Sequence, residues 1–178
     1  MRIVAAVVLL AIGSPCYCLA QTSGPVSVPG CGPSNIEFNV KTESKQRPAA
    51  APDAGKAYVY FLQDDNSFLS RPRPTTRFGI DGGWAGATHS DSYFYIAVDP
   101  GEHHLCSSWQ GFVGLGPQRR EAALHFTADA GGKYYFLAKN IFDPHDKKAA
   151  TVILKALDSD EAELLIGQFS FSTSNPKK

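Results

Sequence analysis

Neither charge predominates in this chain: lysine plus arginine and aspartate plus glutamate number 17 each. Residues 1–20 hold Arg2 as their only charged side chain, which leaves 16 basic against 17 acidic side chains in the remainder. A surface so balanced offers no field to attract nucleic acid or an anionic membrane. Long hydrophobic runs are missing too. The longest, Ile3–Ile12, falls well short of the about 20 residues that a membrane-crossing helix needs. The chain also lacks HExxH, CxxC, a Gly-x-Ser-x-Gly elbow and a glycine-rich loop followed by Lys-Ser or Lys-Thr. Zinc-protease, serine-hydrolase and phosphate-loop chemistry therefore have no motif to stand on. There is little helical periodicity and no repeat period.

What is present begins at the N-terminus. Met1-Arg2 is a short positive stretch, Ile3–Ile12 is apolar, and Gly13, Ser14 and Pro15 break any helix. Cys18-Leu19-Ala20 then places small residues at −3 and −1 of a cut before Gln21. That layout predicts a secretory signal over residues 1–20 and a periplasmic or extracellular destination. A lipoprotein is the lesser alternative, because Pro15 and Tyr17 occupy positions where a lipid-anchoring cysteine needs a small neighbour.

With Cys16 and Cys18 leaving in the signal, Cys31 and Cys106 remain, an even number in an oxidising compartment, and a disulfide between them is expected. Closing a loop that long is worth about 4 kcal/mol in the chain-entropy model. The rival reading makes Cys106 a nucleophile activated by His103 or His104. Residues two apart along a strand are separated by about 6.6 Å, too far for an activating hydrogen bond.

Residues 21–55 read as a flexible N-terminal segment, interrupted by one short strand where Ile36, Phe38 and Val40 alternate with polar neighbours. Residues 56–171 form the domain. Ala57–Leu62 is an unbroken apolar and aromatic run suited to a central strand buried on both faces. Asp64–Pro74 is polar and reads as a loop, with Asp64 and Asp65 in exposed turn positions. Asp81-Gly82-Gly83 suits a tight hairpin turn between Thr76–Ile80 and Trp84–Thr88. Asp99-Pro100-Gly101-Glu102 suits a type II turn between Ser92–Val98 and His103–Trp109. A glycine-rich loop follows, then strands at Glu121–Ala128, Lys133–Asn140 and Thr151–Leu157. Asp158 through Glu161 resembles a capping box, predicting a short helix over residues 159–166. Phe169 and Phe171 suggest a final edge strand, and residues 172–178 a tail whose end, Asn175–Lys178, frays. The fold class expected is all-β: an antiparallel β-sandwich of about seven to nine strands with one short C-terminal helix.

Six pieces, in order, carry a family resemblance: Lys56-Ala57-Tyr58-Val59-Tyr60-Phe61, Gly79 through Gly86, Asp91-Ser92-Tyr93-Phe94-Tyr95, Val98 through Leu105, Ala130 through Phe136, and Leu157 through Glu161. Residues 56–166 thus resemble the bacterial family catalogued as domain of unknown function 2846. The Pro-Gly-x-His-x-Leu piece alone is shared with sandwich domains of the carboxypeptidase-regulatory and PEGA type. The resemblance implies an exported β-sandwich and brings no catalytic residues with it.

Candidate sites are therefore surfaces. Tyr58 and Tyr60, Tyr93 and Tyr95, and Tyr134 fall on one parity of their strands, while Val59, Phe61, Phe94, Ile96 and Val98 fall on the other. If the second set faces the core, the tyrosines line the opposite face. They then either pack under a covering segment or offer a platform to a sugar, a peptide or a protein. Arg71, Arg73 and Arg77 could add anion recognition, and Trp109 opens the second unusual loop, residues 109–120. His89 with Asp91, His103 and His125 could serve a metal, but no cluster has the three or four convergent ligands such a site needs. No cofactor, metal or catalytic residue is therefore expected.

The function expected is that of an exported, non-catalytic binding or accessory domain of the cell envelope, with an envelope protein, a peptide or a glycan as partner. Two alternatives stand beside it. One is a hydrolase or metal-dependent enzyme whose site assembles from loops. The other is a structural or assembly subunit pairing through an edge strand.

Overall fold

The computed structural model describes residues 30–44, 54–111, 118–145 and 150–178. The expected signal over residues 1–20, nearly all of the leader after it, residues 45–53 of the linker and residues 112–117 of the glycine-rich loop lie outside these.

Two β-sheets pack face to face. The strands are β1 (Phe38–Glu43), β2 (Ala57–Phe68), β3 (Thr75–Ile80), β4 (Gly83–His89), β5 (Ser92–Val98) and β6 (Gly101–Gln110). There follow β7 (Gln118–Arg119), β8 (Glu121–Ala128), β9 (Lys133–Phe142), β10 (Ala150–Leu157), the helix α1 (Ser159–Gln168) and β11 (Ser170–Pro176). The larger sheet runs β1-β11-β5-β2-β9-β10-β7 and the smaller β4-β3-β6-β8. The all-β sandwich with one short C-terminal helix is the fold.

Between β2 and β9 the chain passes back and forth between the two sheets. That is why its central pair, β2 with β9, runs parallel without a crossover helix: the connection a parallel pair requires is made by intervening strands, most of them in the opposite sheet. Short parallel pairs also join β5 to β11 and β7 to β10, and the remaining neighbours are antiparallel.

The core between the sheets holds Val59, Phe61, Phe94 and Phe136 from the larger sheet against Phe78, Leu105 and Trp109 from the smaller. A second cluster lies on the other face of the larger sheet, where Tyr58, Tyr60, Leu62, Tyr93 and Tyr135 pack under Ala162, Leu165 and Ile166 of α1 and Phe169. β2 is thus buried on both faces, as its unbroken apolar run predicts. The β3–β4 turn is a two-residue loop with positive φ at Asp81 (50°) and Gly82 (83°), the geometry that matches the twist of a hairpin.

Four segments depart from expectation. Gln118–Arg119, read as part of a loop, pairs with β10 as β7. β2 does not stop at Leu62: it continues to Phe68 through a bulge between Asp64 and Ser67, its backbone pairing with β9 as far as Phe68–Phe142. The N-terminal strand begins at Phe38 and takes in Lys41, Thr42 and Glu43, which read as linker. The C-terminus is not a frayed edge. β11 lies between β1 and β5, Pro176 pairs with Phe38, and Lys177 bonds Glu37 through both backbone (2.7 Å) and side chain (2.7 Å). Its Ser-Thr-Ser-Asn sequence shows no apolar alternation because much of its ordering comes from backbone pairing with β1.

Candidate functional site

The tyrosines do come together. Tyr95, Tyr60 and Tyr135 are register partners on the adjacent strands β5, β2 and β9, so their rings form a row, with centroids 5.2 Å and 5.0 Å apart. Tyr58 stands edge-on to Tyr95 at 5.3 Å, and Tyr93 stands edge-on to Phe171 at 5.4 Å. Offset and edge contacts of this kind add to the area the rings bury. Most of the row is covered: α1 and Phe169 lie over it, Tyr60 and Tyr135 keep 8% and 7% of their surface exposed, and Tyr95 at the β5 end is partly buried. Burial, reinforced by the neighbouring phenols, pushes the Tyr60 hydroxyl up to about 12, and burial raises Tyr135 as well.

Tyr134 is not a member of this face. In β9 the row is entered by Tyr135, whereas Tyr134 points with Phe136 toward the intersheet core, packs on Phe126 at 5.1 Å and accepts the Asp129 amide at 2.8 Å. Three aromatic residues in succession, Tyr134, Tyr135 and Phe136, concealed which parity faced in.

The arginines do not converge on an anion site. Arg77 is buried on the outer face of the smaller sheet. Its guanidinium donates to the carbonyls of Ser34 (3.1 Å) and Ile36 (2.6 Å) and to Ser108 Oγ (3.0 Å), and lies 4.4 Å over the Trp84 ring. Trp84 Nε1 donates to the Pro33 carbonyl at 2.8 Å, and the Cys31–Cys106 disulfide anchors the same segment. Residues 30–37 are thereby strapped across the sheet. Arg73 pairs with Asp91 at 3.2 Å, and Asp91 in turn accepts the Asp65 amide at 2.9 Å. Arg71 is exposed beside the cis bond to Pro72.

Trp109 belongs to β6 and the core rather than to a loop surface. It stands edge-on to Phe68 at 5.7 Å, and its Nε1 donates to Asn140 Oδ1 at 2.7 Å. That bond leads into a polar cluster that sequence reasoning missed. Gln63, Asp65, Thr76, Thr88 and Asn140 are each fully buried at one end of the sandwich. Gln63 Nε2 donates to both Asp65 oxygens (3.0 and 2.9 Å) and to the Pro74 carbonyl (3.1 Å), while Thr88 Oγ1 donates to Gln63 Oε1 at 2.6 Å. Asn140 Nδ2 donates to Asp65 Oδ1 at 2.7 Å and to Thr76 Oγ1 at 3.1 Å. Burial raises the Asp65 pKa against the opposing pull of the Gln63 and Asn140 hydrogen bonds. Asp65 is therefore no exposed turn residue. The signal was the parity of Val59 and Phe61 continued through Gln63 and Asp65, which polar composition disguised as a loop.

The histidines are dispersed. His103 packs on Phe126 at 5.5 Å; its Nδ1 meets Asp81 Oδ2 at 2.6 Å and its Nε2 meets the Asp99 carbonyl at 2.8 Å. Both partners are acceptors, so both ring nitrogens donate, which is the hydrogen-bonding pattern of the charged imidazolium. Burial works against charging His103, but those bonds and the Asp81 carboxylate outweigh it and raise its pKa. Partial burial likewise opposes ionisation of Asp81, yet His103 and the His104 amide (2.8 Å) bring its pKa down. The His89–Asp91 chelate does not form, because His89 Nδ1 faces Thr75 Oγ1 at 3.3 Å and Asp91 faces Arg73. His125 lies on the opposite face of the smaller sheet from His103. Among the described residues no three His, Cys, Asp or Glu side chains converge on a metal-sized space, and no helix is long and apolar enough to cross a membrane. No family model, no curated protein and no solved structure matches this chain.

Proposed function

We propose that this chain is an exported, non-catalytic accessory module that presents a rigid sandwich surface to an envelope protein, a peptide or a glycan. The observation that carries this reading is where the chemically versatile side chains go. His103 ties Asp81 in one turn to Asp99 in another, Arg77 holds the N-terminal strap, and the Asp65 carboxylate closes a ring of buried amides. The bonds from His103 to Asp81, Arg77 to Ile36 and Asn140 to Asp65 join segments distant in sequence. His103 has both ring nitrogens engaged within the fold, which leaves neither free to exchange a proton with a substrate. The Cys31–Cys106 disulfide agrees with an oxidising compartment, and the resemblance to the domain of unknown function 2846 family supports the same reading.

Fractionation of expressing cells tests the first half: the chain should begin at Gln21, outside the cytoplasm, with no free thiol. For the second half, the purified chain is passed over immobilised peptidoglycan fragments and peptides, and incubated with ester, peptide and glycoside substrates. Retention without turnover is expected. Turnover of any substrate that is abolished by Asp65→Asn or His103→Gln in a folded variant would replace this reading with the hydrolase.

A further inference from the structure

Two histidines whose rings make no hydrogen bond among the described residues face each other on the outer side of the smaller sheet. His104 of β6 and His125 of β8 are direct register partners. The backbone of His104 turns away from β8: its amide donates to Asp81 Oδ1 at 2.8 Å and its carbonyl accepts from the Asp81 amide at 2.9 Å. Both backbone groups of a strand residue point the same way, so His104 and His125 are a non-hydrogen-bonded pair, the type in which Cα atoms approach to about 4.5 Å and side chains lie closest. Their ring centroids are 6.3 Å apart with the planes at 51°. Both residues are exposed, and neither imidazole makes a hydrogen bond among the described residues. Glu102, on the same face of β6, brings Oε1 to 4.0 Å from His104 Nε2.

We propose that His104 and His125 form a cross-strand clamp for a late first-row divalent cation, Cu²⁺ or Ni²⁺ before Zn²⁺. Two imidazoles supply the protein ligands, water fills the other positions, and Glu102 lies near enough to join by a rotamer change. Imidazole nitrogen suits these ions, copper binds such donors most tightly of the divalent series, and tetragonal copper and nickel are satisfied by a few nitrogen and oxygen donors. Zinc, which prefers three or four protein ligands in a closed set, is served less well. The clamp is held in shape before the ion arrives. Asp81 locks the His104 backbone, and two residues along the same face of the same strand, Cys106 is tied to Cys31.

Calorimetric titration of the full chain with Ni²⁺ and separately with Cu²⁺ tests this. One ion per chain is expected at the tightest site, and His104→Ala and His125→Ala should each weaken it by one to two orders of magnitude, because the second imidazole of a chelate binds intramolecularly. Glu102→Gln should weaken it by no more than a few fold. Paramagnetic resonance of the copper form should show nitrogen coupling from both rings in the parent and from one in each variant. Unchanged melting of the metal-free variants separates ligand loss from misfolding. Parent-like affinity in either single variant, or two equal independent sites, would overturn the clamp.

Discussion

When protonated, His103 donates from both ring nitrogens, one to a carboxylate in the β3–β4 turn and one to a carbonyl in the β5–β6 turn. Its folded pKa is raised, so its contribution to stability is whole below the ordinary imidazole value of 6.5 and is lost as pH rises through the folded value. Asp81 behaves oppositely. Its pKa is lowered, so its contribution is present above the ordinary 3.8 and disappears as pH falls through the folded value. Urea unfolding of the parent across pH 3–9 should therefore give its largest contribution from this pair between those limits. His103→Gln should flatten the loss on the alkaline side and cost about 1 kcal/mol near pH 6, a modest figure because Asp81 faces solvent. An undiminished alkaline slope in the variant would assign that slope to another group. Trp109→Phe is the matching test of the buried cluster. It leaves the ring volume largely filled but strips the donor from Asn140 Oδ1, and should cost about 1–3 kcal/mol in the same measurement. A neutral result would mean that Asn140 finds another donor.

At the scale of elements, α1 and the face it covers depend on each other. Asp158 caps the helix by accepting the Glu161 amide at 2.9 Å, and Asp160 and Glu161 complement the positive N-terminal end. The helix then lays Ala162, fully buried, against the tyrosine row. Loss of the cap in Asp158→Ala should cost about 1 kcal/mol of stability. If local opening of α1 follows, the Tyr60 phenol, about 12 under cover, should titrate closer to an ordinary tyrosine. Ultraviolet titration of phenolate measures this directly, and an alkaline curve identical to the parent's would show that the helix stays docked without its cap. The same row explains why an aromatic ladder is poor evidence for a binding platform: identical parity arises whether a face awaits a ligand or a helix, and here the helix supplies the cover.

On the scale of the whole molecule, the strap of residues 30–37 joins the two layers, crossing the smaller sheet before entering the larger one as β1. A further link beside it is made by Ser174 of β11, the register partner of Val40 in β1, whose Oγ accepts the Ala87 amide of β4 at 3.0 Å. Gly79 permits the strap's approach, since a Cβ there would strike the Gly30 carbonyl. Reduction of Cys31–Cys106, whose cysteines lie 75 residues apart, should lower unfolding free energy by about 4 kcal/mol in the chain-entropy model. Urea titration with and without reductant reads this. A loss under 1 kcal/mol would mean that Arg77, Trp84 and the sheet pairing hold the strap by themselves.

Local sequence by itself determined what depends on near neighbours. The strand runs, the Asp81-Gly82 hairpin, the capped helix and the doubly buried character of Ala57–Leu62 follow from periodicity, turn chemistry and capping, each legible within a few residues. The pairing of Cys31 with Cys106 was legible for a different reason: if a secretory signal removes Cys16 and Cys18, two cysteines are left and allow one bond. Tertiary structure alone decided the rest. It set the parallel pairing of β2 with β9, the burial of Gln63 and Asp65, the choice of Tyr135 over Tyr134 for the outer face, the docking of β11 inside its sheet and the meeting of His104 with His125. Each of these depends on which distant strand supplies the partner, and a polar side chain or an unpaired backbone looks alike in a sequence whether water or another strand will satisfy it.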